Sequence, residues 1–165
     1  MTTSRTVTVV VEIPKGSRNK YELNPETGRI QLDRFLFSSV HYPADYGFVE
    51  NTLAGDGDPI DALVLVSEPT FPGCEIIVRP VGVFLMADDK GEDEKILTVP
   101  VSDPNWNHIA GLGGVPRHLL MEIEHFFRVY KDLEDKIVTI QGWKDEAVAW
   151  TLIDEAFARA AESPS

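Results

Sequence analysis

Over the first hundred residues, apolar positions recur in short alternating or continuous runs. Residues 7–13 are β-branched apart from one charge, Glu12, and predict a strand. Residues 20–23 alternate over a short span, 24–28 (Asn-Pro-Glu-Thr-Gly) carry turn chemistry, and 30–37 resume an extended pattern. Residues 62–66 form a continuous apolar run that predicts a buried strand. Residues 76–86 and 95–101 predict two more, separated by a charged turn over 88–94. A strongly curved antiparallel sheet or a small closed barrel accommodates this series.

The period changes in the last third. After Pro116, which suits the first turn of a helix, Leu119, Leu120, Ile123, Phe126, Phe127 and Tyr130 follow helical spacing. Residues 136–141 predict a short strand. From Asp145 onward, Ala147, Trp150, Ile153, Phe157 and Ala160 share one helical face, and residues 162–165 are expected to fray. No internal repeat interrupts the series, so residues 1–165 are expected to form one domain. The fold class expected is α+β, mainly β.

The bulk numbers narrow the function. With 43% hydrophobic and 25% charged residues, the chain has the composition of a soluble globular protein. Acids outnumber bases 27 to 15, for a net charge of −12, which disfavours nucleic acid and anionic membranes as partners. One cysteine, Cys74, leaves no internal disulfide, and a reducing cytoplasm fits. No apolar run is long enough to span a bilayer, and no secretory core is expected at the start.

The acids are concentrated. Asp56-Gly57-Asp58-Pro59-Ile60-Asp61 puts three carboxylates in six residues, at the mouth of a buried strand. Such repulsion asks for a counter-charge, and hard divalent cations such as Mg²⁺ are held by carboxylate oxygens. Paired metals of this kind attack phosphorus centres. A solvated turn would leave Asp61 on a free loop, not at a strand mouth. An EF-hand loop fails, because its sixth and twelfth positions would be Asp61 and Ser67. A second acidic group, Asp88, Asp89, Glu92, Asp93 and Glu94, alone reads as a hairpin tip, but two such turns could meet at one barrel end. Glu12 points opposite to Val11 and Ile13.

The basic candidates, Lys20, Arg34, Lys95 and Lys131, are scattered, and each alone reads as a surface charge. Tyr42, Tyr46 and Tyr130 offer neutral donors; Tyr130 suits the core of its helix equally well. Gly111, Gly113 and Gly114 lack the lysine of a phosphate-binding loop and read as a connector. The histidines show no ligand spacing, and His118 with Glu122 reads as a surface pair. No nucleophilic serine or cysteine constellation is present.

Together these residues resemble the soluble family I inorganic pyrophosphatases, the bacterial type in particular. The likeness runs from Val9-Val10-Val11-Glu12-Ile13-Pro14 to Tyr130-Lys131-Asp132-Leu133-Glu134 and Gly142-Trp143. It passes through Lys20-Tyr21-Glu22, Asp33-Arg34, Tyr42-Pro43-Ala44-Asp45-Tyr46-Gly47, the Asp56–Asp61 motif, Arg79-Pro80-Val81-Gly82-Val83, Asp88, Gly91-Glu92-Asp93 and Lys95. The resemblance implies a five-stranded OB-like barrel with two flanking C-terminal helices. It also implies Mg²⁺-dependent hydrolysis of pyrophosphate to two orthophosphates, and a homohexamer. By position, Asp56, Asp61, Asp88, Asp93 and Glu12 resemble the metal ligands and Asp58 the general base. Lys20, Arg34, Tyr46, Lys95, Tyr130 and Lys131 resemble the phosphate contacts, with Glu22 and Tyr42 lining the pocket. Asp89 stands where many relatives have glutamate and receives no role. Two other classes stay open: a metal-dependent hydrolase of nucleotides or polyphosphate, and a non-enzymatic OB-type module binding single strands. The latter needs a basic groove with stacking aromatics.

Overall fold

The valine-rich alternation becomes β1 (Val7–Ile13), with odd positions buried and even ones half-exposed. The structure, a computed structural model, describes residues 5–163. β2 (Asn19–Leu23) and β3 (Ile30–Phe35) form a separate hairpin around the predicted turn. There Gly28 N–H donates to Asn24 O, and Asn24 Oδ1 accepts from Glu26 N. β4 (Asp45–Val49), β5 (Asp61–Val64), β6 (Glu75–Asp88) and β7 (Gly91–Pro100) follow. Their order β1-β4-β5-β7-β6 closes through a β1–β6 pairing, so five strands make the expected OB-like barrel. β8 (Thr139–Asp145) pairs with the far half of β6, outside that ring.

Two helices complete the chain. α1 (Arg117–Val129) starts one residue later than its proline suggests, with Pro116 as N-cap. α2 (Glu146–Glu162) is capped by Asp145, whose side chain accepts from Val148 N at 3.3 Å. Glu162 is still helical and Ser163 caps the end; the rest of the expected frayed tail lies outside the described residues.

Adjacent residues of the central strands serve two different cores. Leu63, Phe84 and Leu97 pack with Ile123, Phe126 and Phe127 of α1. Val64, Val83 and Ile96 pack with Ala149, Ile153 and Ala156 of α2. Both faces of these strands are therefore buried, which is why their sequences read as continuous apolar runs.

Several expectations need correction. The sheet is not wholly antiparallel: β5 and β7 run parallel, because the long β6 returns the chain between them. β4 has no clear apolar pattern of its own. Its Gly47 lies so close to β1 that a Cβ there would fall 1.9 Å from Val10 O. The same glycine that weakens the strand signal permits the pairing. The charged turn over 88–94 shrinks to Asp89-Lys90, and Glu92, Asp93 and Glu94 belong to β7. The strand foreseen over 136–141 begins only at Thr139.

Candidate active site

A cavity of about 350 Å³ is lined by the β2–β3 hairpin, the loop before β5, the start of β7 and the end of α1. Glu12, Lys20, Glu22, Arg34, Tyr42, Tyr46, Asp56, Asp58, Asp61, Asp93, Lys95, Tyr130 and Lys131 all face it. Asp88 does not reach its wall; it stands behind Lys131, with Oδ2 3.2 Å from Nζ.

The aspartate loop is shaped by its own sequence. Asp58 N–H donates to Asp56 Oδ1 at 3.0 Å, and Ala54 N–H to Asp58 O at 2.7 Å. Gly57 takes φ 89, a left-handed conformation that a side chain would strain. Ile60 buries itself in the core and leaves Asp61 to open β5. Tyr46 arrives from β4, whose entry is anchored by the fully buried Asp45. That carboxylate accepts from Lys15 N (2.8 Å), Thr70 N (3.1 Å) and Thr70 Oγ1 (2.5 Å).

Lys95 is the hub. In β7 it shares a pleat face with Asp93, two residues earlier. Its Nζ lies 2.8 Å from Asp61 Oδ2 and 2.9 Å from Asp93 Oδ2, and donates to the Tyr46 hydroxyl at 2.6 Å. Tyr46 in turn donates to Asp61 Oδ2 at 2.5 Å. The lysine is 3% exposed, so its reading as a surface charge does not hold. Burial alone would lower its pKa; Asp61 and Asp93 outweigh that and hold it well above the ordinary value. Burial raises Asp93, with Lys95 opposing.

The hairpin supplies the other cations. Lys20 Nζ bridges Asp33 (2.9 Å) and Glu22 (3.1 Å); burial opposes its charge, but these acids raise its pKa. Arg34 Nη1 pairs with Glu134 Oε1 at 2.9 Å. Glu12 Oε2 accepts from Leu23 N at 2.8 Å, fastening the hairpin to β1. Burial pushes the Glu12 carboxyl up to about 7, with Asp61 and Glu22 adding to the shift and the Leu23 N–H opposing it. Partial desolvation, then Asp56, Asp61 and Glu22, raise Asp58. Lys90 N–H and Lys131 overcome burial to hold Asp88 low. Tyr130 resolves its two readings by serving both: it is buried against Phe126 and Phe127 and still lines the cavity.

Sequence reasoning missed Asp33, Lys90 and Lys136, which also line the cavity. Asp33 lay inside a recognised motif without a role. Lys90 was absorbed in the charged turn, and no local signal marks Lys136. With them, seven carboxylates face six lysine or arginine side chains. A chain of net charge −12 thus gathers nearly balanced charge at this point.

The residues suit a hard divalent cation. Their acceptors are carboxylate and phenol oxygens, and burial, with neighbouring carboxylates adding to it, holds Glu12, Asp58 and Asp93 above their ordinary pKa. Among the described residues, no three such side chains converge on one point in a ready cage. Lys95 and Lys131 instead occupy the inward oxygens of Asp61, Asp93 and Asp88.

Fold and cavity together define a class: a small closed β-barrel with a polar cavity of nearly balanced carboxylates and cations at one end. The family model for inorganic pyrophosphatase matches residues 9–161. The chain is 58% identical over 151 residues to an inorganic pyrophosphatase of Leifsonia xyli, covering 91% of this chain and 93% of the relative. It is 57% identical over 156 residues to one of Methanosarcina mazei, covering 94% and 92%. The crystal structure of inorganic pyrophosphatase from Thermus thermophilus superposes with a TM-score of 0.92 at 45% identity, covering 94% and 91% of the two chains. The chain belongs to the inorganic pyrophosphatase family. No helix among the described residues is long and apolar enough to cross a membrane.

Proposed function

We propose that this protein hydrolyses inorganic pyrophosphate to two orthophosphates, using Mg²⁺ held by Asp56, Asp61, Asp93 and Glu12, with Asp88 joining them once Lys131 turns from it to the substrate. The observation that carries the reading is the meeting of Asp58 with clustered carboxylates and cations in one cavity of a chain of this family. Bound Mg²⁺ supplies charge neutralisation and Lewis acidity at phosphorus. The chain's own residues do the rest. Asp58 accepts a proton from the attacking water, whose oxygen bonds to one phosphorus as the bridging P–O bond breaks. Its raised pKa brings it nearer neutrality, where a general base is most effective. The bridging electron pair leaves with the second phosphate. Lys20, Arg34, Lys95 and Lys131 face the charge that spreads over the equatorial oxygens, and Tyr46 and Tyr130 add neutral donors. Glu22 and Tyr42 shape the wall.

Phosphate release from pyrophosphate, with and without Mg²⁺, tests the reading. Rapid release that requires the metal is expected; none in either condition sinks it. In the same assay, equal turnover of ATP or tripolyphosphate would favour a broader phosphoanhydride hydrolase. The aromatic and basic groove of a single-strand-binding module is not what surrounds this cavity.

Ca²⁺ is expected to bind yet support little turnover, since it is larger and accepts looser coordination than Mg²⁺. Equal rates with the two ions would count against a tightly defined geometry. Lys20→Ala and Arg34→Ala should raise KM, lower kcat, or both, with metal affinity of the free protein changing much less. Unaltered kinetics in both would remove them from the substrate's path.

The same reading makes residues 1–165 one cytoplasmic domain that assembles as a homohexamer. The exposed Phe35 and Phe37, whose rings meet edge to face with centroids 6.1 Å apart, support an assembly, because clustered apolar groups in water mark an interaction surface. A monomeric mass by light scattering would overturn it.

A further inference from the structure

We propose that Glu134 is a positioning residue: it aims the Arg34 guanidinium into the cavity and clasps the β2–β3 hairpin to the segment that follows α1. The proposal rests on the phosphate-binding reading of Arg34 given above. Glu134 ends a single 3-10 turn, Asp132–Glu134, stopped by Asp135 at φ 56. Its side chain is 5% exposed, against 29% for Arg34. A carboxylate so deeply placed on so short a turn is costly unless a cation meets it. Only one of its oxygens is used: Oε1 holds Arg34 Nη1 at 2.9 Å, while Oε2 is buried without a partner. Arg34 Nε is likewise buried and unpartnered. The guanidinium is therefore held at one corner, with donor capacity to spare on a residue that lines the cavity.

The competing acid is close. Asp33 Oδ2 lies 3.8 Å from Arg34 Nε, beyond hydrogen-bond reach, and is already engaged by Lys20 at 2.9 Å. Without the pull of Glu134, Arg34 falls toward Asp33, disturbing two phosphate-facing cations at once. The clasp also has leverage. The hairpin is a sheet of its own, outside the barrel's hydrogen-bonded ring. Glu134 connects it to the stretch carrying Tyr130 and Lys131, so two groups of phosphate contacts are set relative to each other.

The test uses E134Q, which keeps shape but loses charge, E134D, R34A and the E134Q/R34A double variant. For E134Q, kcat/KM for pyrophosphate should fall roughly ten- to a hundredfold, mainly through KM, the scale of a small misplacement of a binding group. E134D should recover part of the loss, and the double variant should be no worse than R34A alone. Amide exchange should quicken in residues 19–35 of E134Q, with the melting temperature little changed. Wild-type kinetics in E134Q, additive losses in the double variant, or a lowered melting temperature with KM unmoved would each overturn the proposal. If the wild-type protein releases no phosphate from pyrophosphate, the functional reading fails. Calorimetric titration with inorganic phosphate then decides for Glu134: weaker binding by E134Q supports it, and equal binding overturns it.

Discussion

Replacing Asp58 with asparagine is expected to slow pyrophosphate hydrolysis by a factor on the order of 10²–10⁴, the usual worth of a positioned acid–base group. Asparagine keeps the size and polarity of the side chain but cannot accept the proton. The loop should survive, because the Asp58 side chain takes no part in holding it: Ala54 N–H donates to Asp58 O, Gly57 N–H to Ala54 O, and Asp58 N–H to Asp56 Oδ1. Metal affinity should persist through Asp56, Asp61 and Asp93. The pH profile carries the sign. A base works only when ionised, so wild-type activity falls as pH drops through the Asp58 pKa, which its surroundings raise. In the variant that limb disappears, and the rate climbs with pH as the attacking water ionises without help. A variant that instead loses metal binding, with no recovery at high pH, would make Asp58 a ligand and place the base elsewhere.

Lys95→Met should have the largest effect on stability. The ammonium is buried between Asp61, Asp93 and the Tyr46 hydroxyl. Methionine replaces the apolar stem, ends one atom short of the ammonium, and leaves two inward carboxylates facing each other with no cation between. Removing one partner of a buried ion pair costs about 3–5 kcal/mol. For a chain of this size that is a melting temperature lower by roughly 10 °C. Millimolar Mg²⁺ should restore part of the loss in the variant and add less to wild type, since the cation takes over a charge the lysine supplied. A melting temperature within a degree or two of wild type, without metal, would mean those carboxylates are solvated and the hub is not structural.

How much of this could be read beforehand depended on the range of the interaction. The Asp56–Asp61 motif was legible because loop, glycine and strand mouth lie within six residues. The alternation of residues 7–13 showed Glu12 apart from the core for the same reason. Lys95 reads as surface in the sequence because its burial comes from β5 and β4, distant along the chain, while its neighbours are acids. The parallel β5–β7 pairing left no local trace. β4 hid behind Gly47, whose value lies in what Val10 leaves no room for. Lys136 follows α1 with nothing to announce it, and Glu134 closes a recognised motif without a role; both gain meaning only when the hairpin folds across.

The double-sided burial of the central strands bears on how such a chain can diverge. Leu63 and Val64, or Ile96 and Leu97, answer to opposite cores, so neither has a solvent side on which substitutions pass unnoticed. Drift is pushed out to the exposed Pro25-Glu26-Thr27 tip of the β2–β3 hairpin and the outer face of β8, away from the cavity lining. Those are the places where a library of variants should retain most members, and where a tag or inserted loop should be accepted. A change along β5 or the middle of β7 must be answered twice, once under each helix.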